Sequence, residues 1–372
     1  MRIAAVLPAE EQLSLSGGAV ASNCREIFRR IGRRHQVSVY CRPGYDVEQP
    51  PELQVAAVLA AHLGKGGVLQ SRWQRWYPAE VGLRLRGLFD VVYIFNRPQF
   101  VVPIRRWNPH AGIVLHMAND HLRDMDYRLC ARALGAVDGV VCNSAHVLKG
   151  FATRFPEARE KARVVHNGVD TVLFRPANGP SAGGERTRKI LFVGRLTEEK
   201  GAHFLVEAAK LVFRQVPDVN LEIVGSSWFG ENKPTPYITA LRGAAAPLGS
   251  RVVFRGYVRS DLVPEIYRSA DVFVAPSVWS EPFGKMNLEA MASGLAVVSS
   301  PRGGIPEVVG DAGILCEPED VSGLADRIIE VLTDDCLRIT LGQRARERAE
   351  TLFTWDRAVA GIEEILRSLS CH

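Results

Sequence analysis

The sequence predicts an α/β fold of two Rossmann-like domains, and three observations carry that expectation. The chain has 372 residues, more than one hydrophobic core usually serves, so two domains of ordinary size are expected. Apolar runs of strand length alternate with longer amphipathic stretches through both halves, the pattern of parallel sheets covered by helices. Between the halves, Pro176-Ala177-Asn178-Gly179-Pro180-Ser181-Ala182-Gly183-Gly184-Glu185 holds turn formers and almost nothing to bury, so it is expected to connect the domains. The boundary is placed there: residues 1–178 form the first domain and 179–354 the second. The amphipathic tail 355–372 can pack on either, including back on the first.

The strands expected in the first half are Ile3 to Leu7, Gln36 to Tyr40, Val91 to Phe95, Ile113 to His116, Gly139 to Cys142 and Arg163 to His166. In the second half they are Lys189 to Gly194, Asn220 to Val224, Val252 to Arg255, Val272 to Ala275 and Ala296 to Ser299. Leu205, Ala208, Ala209, Val212 and Phe213 recur at helical spacing between two of these strands. No repeat with a period of about 20 to 50 residues is evident.

Composition narrows the class. A hydrophobic content of 47% and a charged content of 23% suit an ordinary soluble globular protein. The opening Met1-Arg2-Ile3-Ala4-Ala5-Val6-Leu7-Pro8 is too short for a signal peptide and reads as a buried strand. The best membrane-span candidate, Val55 to Leu63, is about half the ~18 apolar residues needed and contains His62. A cytoplasmic protein is the expectation. Cysteines 24, 41, 130, 142, 316, 336 and 371 include no C-x-x-C pair and are odd in number, against a disulfide framework or a zinc site. The net charge of +5 is uneven: residues 1–165 hold 23 Lys and Arg against 14 Asp and Glu, and the remainder 23 against 27. The basic N-terminal half suits an acidic partner, such as an anionic membrane face or a phosphorylated lipid. No helix-turn-helix, RNP or zinc-finger pattern supports nucleic acid.

The segment Ser280-Glu281-Pro282-Phe283-Gly284-Lys285-Met286-Asn287-Leu288-Glu289 is the most informative. Pro282 and Gly284 break the chain before good helix formers, so a helix is predicted from Lys285. Its first N–H groups, unpaired within the helix, favour a phosphate. Glu281 before the helix and Glu289 within it can accept from the hydroxyls of a sugar and a ribose. Equally, acidic residues near a helix start can simply balance its dipole. A second segment, Phe192-Val193-Gly194-Arg195-Leu196-Thr197-Glu198-Glu199-Lys200-Gly201, follows a strand and precedes a helix. There Arg195 and Lys200 can reach a diphosphate at a strand's carboxyl end, or be an ordinary charged loop. Neither half contains a Walker lysine or a G-x-G-x-x-G motif.

Glu281 and Glu289, with seven residues between them, resemble the E-x7-E motif of family 4 glycosyltransferases of GT-B fold, whose two Rossmann-like domains face each other across a cleft. Gly17-Gly18, His116, His166-Asn167-Gly168-Val169-Asp170, the Gly194-Arg195 to Lys200-Gly201 loop and Gly303-Gly304-Ile305-Pro306-Glu307-Val308 fall in that family's order. The resemblance implies a retaining, metal-independent transferase, with the acceptor taken by the first domain and the nucleotide-sugar donor by the second. Arg195 and Lys200 would neutralise the diphosphate leaving group, Glu281 would hold the donor sugar and Glu289 the ribose. The backbone from Phe283 and Gly284 through Lys285, Met286, Asn287 and Leu288 would complete the phosphate site, and Tyr257 and Val258 would face the base. Gly18 would approach the phosphates and His116 the reacting carbon, unless His116 is simply a hydrogen-bonded histidine ending a strand. No cofactor is implied beyond the nucleotide-sugar donor, and no catalytic metal. Asp90 and the Asp120, Asp124, Asp126 cluster are read as containing no D-x-D metal triplet.

Val224-Gly225-Ser226-Ser227-Trp228-Phe229-Gly230 with Pro234-Thr235-Pro236-Tyr237 is similar to hexosyl- and N-acetylhexosaminyltransferases of lipopolysaccharide core or spore-coat glycans. That similarity favours a UDP-sugar donor and a glycan, glycolipid or lipopolysaccharide-type acceptor. Ser71-Arg72-Trp73-Gln74-Arg75-Trp76-Tyr77, with Arg84 and Arg86, mixes aromatic rings and cations as a peripheral membrane contact does, and as a cleft wall can too. A nucleotide-sugar epimerase of the same architecture and a non-catalytic nucleotide-sugar-binding protein stay as the rival readings.

Overall fold

Strands apolar on both faces give each half of the chain its own parallel sheet. Val91–Phe95 and Val272–Ala275 are buried at every position, as central strands covered by helices on both sides must be. The computed structural model describes residues 1–13, 18–42, 51–57, 68–177, 187–227 and 232–369, with the backbone alone for 57, 68–75 and 121. It divides into Met1–Asn167 with Trp355–His372, and Gly168–Thr354.

The first unit runs β1 (Arg2–Val6), α1 (Ala19–Ile31), β2 (Gln36–Cys41), β3 (Gln54–Ala57), α2 (Val68–Leu85), β4 (Val91–Phe95), α3 (Val101–Trp107), β5 (Gly112–Met117), α4 (Tyr127–Ala136), β6 (Gly139–Cys142), α5 (Ala145–Arg154) and β7 (Ala162–Val164). Its seven strands lie in the order β3-β2-β1-β4-β5-β6-β7, all pairs parallel. On one face, Ala21, Cys24, Ile27, Phe28 and Ile31 of α1 form a core stripe at helical spacing.

The second unit runs β8 (Arg188–Val193), α6 (Ala202–Gln215), β9 (Val219–Val224), α7 (Pro236–Ala245), β10 (Val252–Gly256), α8 (Val263–Arg268), β11 (Val272–Ala275), α9 (Lys285–Ala292), β12 (Ala296–Ser299), α10 (Ile305–Val309), β13 (Ile314–Leu315), α11 (Val321–Thr333) and α12 (Asp335–Leu352). Its strand order is β10-β9-β8-β11-β12-β13, again parallel. Leu205, Ala209 and Val212 of α6 share one core with Leu324, Ile328 and Val331 of α11. Leu288 and Met291 of α9 share another with Ala345 and Ala349 of α12. In each sheet the strand order reverses beside the unit's first strand, between β1 and β4 and between β8 and β11. Connections leave such a point in opposite directions and open a crevice at the carboxyl ends of the strands.

The division of the chain differs from the sequence expectation. Residues 168–177 belong to the second unit, because Val169 and Phe174 are buried in its core. Arg346 holds them by donating to the carbonyls of Thr171 (2.9 Å) and Phe174 (2.7 Å). Most of the expected connection, residues 178–185, lies outside the described residues, as do Gly17, Trp228 to Gly230, Cys371 and the side chain of Trp73. Helix α13 (Trp355–Leu369) packs Trp355, Val359, Ile362 and Leu366 into the core of the first unit beside Phe28 and Ile31. Two strands escaped the sequence reading, β3 and β13, both at sheet edges and only four and two residues long. Among the described residues no helix is long and apolar enough to cross a membrane.

Because α13 carries part of the first unit's core, Ile362→Ala is expected to cost about 2–5 kcal/mol, the usual range for emptying a buried aliphatic site. Urea denaturation followed by a probe in the first unit checks this, and an unchanged midpoint would show that the helix is not part of that core.

Candidate active site

At the β8/β11 crevice, the loop after β8 meets the loop after β11. The first ends in a short 3-10 turn, Glu198–Lys200, and then Gly201, whose φ of +69° starts α6. A side chain at Gly201 would collide with the Pro276 carbonyl oxygen, so only glycine lets the two loops close up. Closure brings Lys200 Nζ onto Glu281 Oε1 as an ion pair, with the two residues only 7% and 5% exposed. Ser277 Oγ donates to the same carboxylate oxygen at 3.0 Å, and the ammonium lies 5.4 Å from the centre of the Trp279 ring. Behind the pair, Gly304 N donates to Glu281 O at 2.7 Å, and Gly303, at φ +63°, leaves no room for a Cβ against the Glu281 backbone.

Helix α9 begins at Lys285, as the sequence predicts, after Gly284, and no side chain caps it. Its first turn contains no acidic residue. Glu281 precedes the helix and pairs with Lys200. Glu289 lies beyond the first turn, where Tyr267 donates to its Oε2 at 3.2 Å and Lys285 Nζ stands 3.6 Å from Oε1. Simple balancing of the helix dipole therefore explains neither glutamate. Burial pushes the Glu289 carboxyl above its ordinary pKa, opposed by Lys285 and Tyr267. Phe283 and Leu288 are core side chains, the former edge-on to Phe353, so only their backbone is available to a ligand. Asn287 is buried with its Oδ1 unpartnered. The Met286 carbonyl oxygen lies 3.3 Å from the same Tyr267 hydroxyl and shares its one proton with Glu289. Arg195, partly exposed, stands 3.7 Å from Glu199. At the end of β10, Tyr257 N donates to Asn232 Oδ1 (2.6 Å) and Val258 packs at the margin of the core.

The first unit presents a different picture. His116 is on β5 and only 1% exposed. Its ring stacks on Phe95, with centroids 5.0 Å apart, and its Nδ1 is 2.8 Å from Tyr93 Oη. Its Nε2 is buried without a partner. Burial lowers its pKa to about 3, so the imidazole is neutral near pH 7. The structure thus gives His116 the hydrogen-bonded interior setting that the sequence left open beside a contact with the reacting carbon. Gly18 precedes α1, but its N–H is taken by Glu11, and a Cβ there would lie 3.1 Å from Glu11 Oε1. The phosphate expected at Gly18 therefore meets a resident carboxylate. Glu10 and Arg97 form an ion pair at the β1/β4 crevice. Asp124-Met125-Asp126 does have D-x-D spacing, correcting the sequence reading, but Asp126 caps α4 by accepting from Leu129 N at 2.8 Å.

Ser277, Trp279 and Tyr267 were not among the predicted site residues. Ser277 and Trp279 lie just ahead of Glu281 and were within reach of a reading extended upstream. Nothing in sequence distinguishes Tyr267 from an ordinary core tyrosine.

Two parallel α/β units, each with a carboxyl-edge crevice, are the architecture of the GT-B glycosyltransferases. The sucrose-phosphate synthase from Thermosynechococcus elongatus shares this fold with a TM-score of 0.80 over 99% of both chains, at 22% identity. Anabaena HepE, solved in complex with UDP and glucose, shares it with a TM-score of 0.76 over 99% of this chain and 100% of that one, at 23% identity. Residues 17–173 match Glycosyltransferase Family 4, and residues 187–334 match Glycosyl transferases group 1. Over 94% of each chain the protein is 31% identical to Spore coat protein SA of Bacillus subtilis (strain 168). It is also 31% identical to the putative glycosyltransferase YtcC of the same organism, over 76% of this chain and 73% of that protein. The chain belongs to the family 4, group 1 glycosyltransferases.

Lys200→Met strands a buried carboxylate, and breaking such a pair is expected to cost about 3–5 kcal/mol. The double variant with Glu281→Gln is expected to lose less than the sum of the two single changes. Strict additivity in urea melts would show that the pair is not coupled. His116 is expected to show no imidazole titration in NMR between pH 5 and 8. Burial disfavours the charged ring, so its midpoint moves down from 6.5 to about 3. A midpoint near 6.5 would mean the ring is open to water.

Proposed function

We propose that this protein is a retaining, metal-independent glycosyltransferase that moves a hexose or N-acetylhexosamine from a UDP-sugar to a glycan, glycolipid or lipopolysaccharide-type acceptor. The observation that carries this reading is the buried Lys200–Glu281 pair beside the helix that bears Glu289. Departure of a diphosphate concentrates negative charge, and fixed donors in a low-dielectric site stabilise it most. Arg195, Lys200 and the N-terminal end of α9 with its positive dipole are those donors, in the place a metal would otherwise take. Glu281 accepts from the hydroxyls of the donor sugar. Glu289, oriented by Tyr267, accepts from the ribose, and Tyr257 and Val258 face the base.

Retention follows from the family resemblance, and a front-face displacement suits the residues present. The bond from the anomeric carbon to the diphosphate breaks first, through an oxocarbenium-like state. The acceptor oxygen then bonds on the same face, and a diphosphate oxygen takes its proton. No carboxylate nucleophile is assigned. The enclosed ring of His116 supports a positioning role, acting through the end of β5. Support for UDP comes from HepE, solved with UDP and with UDP-glucose. The names of relatives such as D-inositol 3-phosphate glycosyltransferase favour transfer over epimerisation. Contact with an anionic membrane, at its cytoplasmic face, is supported by the basic N-terminal half. There Trp76 is 66% exposed, and Leu83, seven residues along α2, is exposed beside Arg84 and Arg86.

Thermal melts in EDTA with UDP, GDP, ADP and their sugar conjugates test the reading. A ligand at 100 times its Kd adds roughly 2.7 kcal/mol, enough to raise the midpoint by several degrees. UDP ligands are expected to stabilise the wild type, and Glu289→Ala to lose that effect. Glu281→Gln is expected to lower sugar transfer by about 10²-fold or more. A requirement for a divalent ion, or stabilisation by no nucleotide, would overturn the assignment.

A further inference from the structure

A shallow, open cavity of about 420 Å³ lies beside the crevice, lined by Glu198, His203, Phe204, Tyr237, Val278 and Glu319. The donor reading uses none of these residues. Its volume falls within the roughly 300–1,000 Å³ typical of small-molecule sites. Three rings form much of its wall: His203 lies 4.1 Å from Phe204 between centroids, and Tyr237 stands perpendicular to His203 at 5.8 Å. His203 Nδ1 and Tyr237 Oη are 3.0 Å apart. Whichever group holds the shared proton, the pair retains a further N–H or O–H donor. Glu198 and Glu319 add acceptors.

The charge of the lining decides what kind of ligand fits. Among the described residues no lysine or arginine lines the cavity, and the neighbouring Arg302 is held by Glu317 (2.7 Å) and Glu319 (3.1 Å). A phosphate would face two carboxylates with no free cation, so the cavity is not an extension of the diphosphate site. Because Arg302 already balances Glu319, a cationic ligand is not required either. A pyranose matches what remains: its C–H face covers aromatic rings, and its hydroxyls donate to carboxylates. The cavity also adjoins the proposed transfer site. Val278 N donates to Glu199 O at 2.9 Å, and the single Ser277 hydroxyl proton lies within reach of both that carbonyl (3.1 Å) and Glu281 (3.0 Å).

We infer that this cavity is a second carbohydrate subsite, which holds a neutral pyranose unit of the acceptor rather than the sugar being transferred. The inference rests on the glycosyltransferase reading above. The substrate class it names is a neutral saccharide, and the residues that select it are Phe204, Tyr237, Glu198 and Glu319.

Saturation-transfer NMR on the full chain, saturated with UDP, tests it with methyl α-glucopyranoside, glucosamine and glucuronate as probes. The neutral glycoside is expected to bind and glucuronate not to. Tyr237→Ala and the rim variant Glu319→Gln are each expected to weaken the glycoside about tenfold, the scale of losing one ring or hydrogen-bond contact. Glu281→Gln is expected to leave glycoside binding in place. The inference is overturned if no glycoside binds, if only glucosamine binds, or if Glu281→Gln abolishes a signal that Tyr237→Ala and Glu319→Gln retain. UDP-induced stabilisation, followed in every variant, separates the two readings. Its absence in the wild type counts against the proposed function, whereas its persistence in Tyr237→Ala shows that the unit is folded and that any lost signal belongs to the cavity.

Discussion

The second unit is organised around one constraint, the burial of Lys200 against Glu281. The two residues are 81 positions apart in sequence and meet only because the sheet reverses its strand order between β8 and β11. Taking both charges out of water is expensive, and the cost is offset only when geometry and extra hydrogen bonds are good. Ser277 provides one such bond, and the Trp279 ring covers the ammonium. Gly201 and Gly303 are the backbone side of the same bargain, since a Cβ at either would hold the loops apart.

The first unit has the same topology and a different chemistry. Its crevice contains the Glu10–Arg97 pair, and the start of α1 is occupied by Glu11. His116 belongs to an aromatic wall with Tyr93 and Phe95. Asn96 has φ +51°, the left-handed backbone that side chains usually avoid, and its Oδ1 accepts from Ala118 N at 2.7 Å, while Asn143 Nδ2 donates to Ala118 O at 2.8 Å. The polar groups here are spent on holding the carboxyl edges of β4, β5 and β6 in register. A shared fold therefore does not make the two crevices equivalent.

Much of the architecture was legible because buried strands have a local signature. Val91–Phe95 and Val272–Ala275 are short β-branched and aromatic runs, and they fold where periodicity places them. The edge strands β3 and β13 were not legible, since a short edge segment needs little apolar sequence. The unit boundary was misplaced for a related reason. Turn-forming residues mark where a chain bends, whereas membership of a domain depends on burial, and Phe174 is buried against Tyr267, with ring centroids 5.8 Å apart.

For the site, the sequence by itself determined which groups are available: two glutamates at E-x7-E spacing, a helix starting after Gly284, and a charged loop with Arg195 and Lys200 after a strand. These are local properties of the chain, written in spacing and residue type. Only the tertiary structure decided their partners. It joined Glu281 to Lys200, placed Tyr267 on Glu289, enclosed His116 and put Glu11 at Gly18. Each of these depends on desolvation and on contacts between distant segments, which no local pattern encodes.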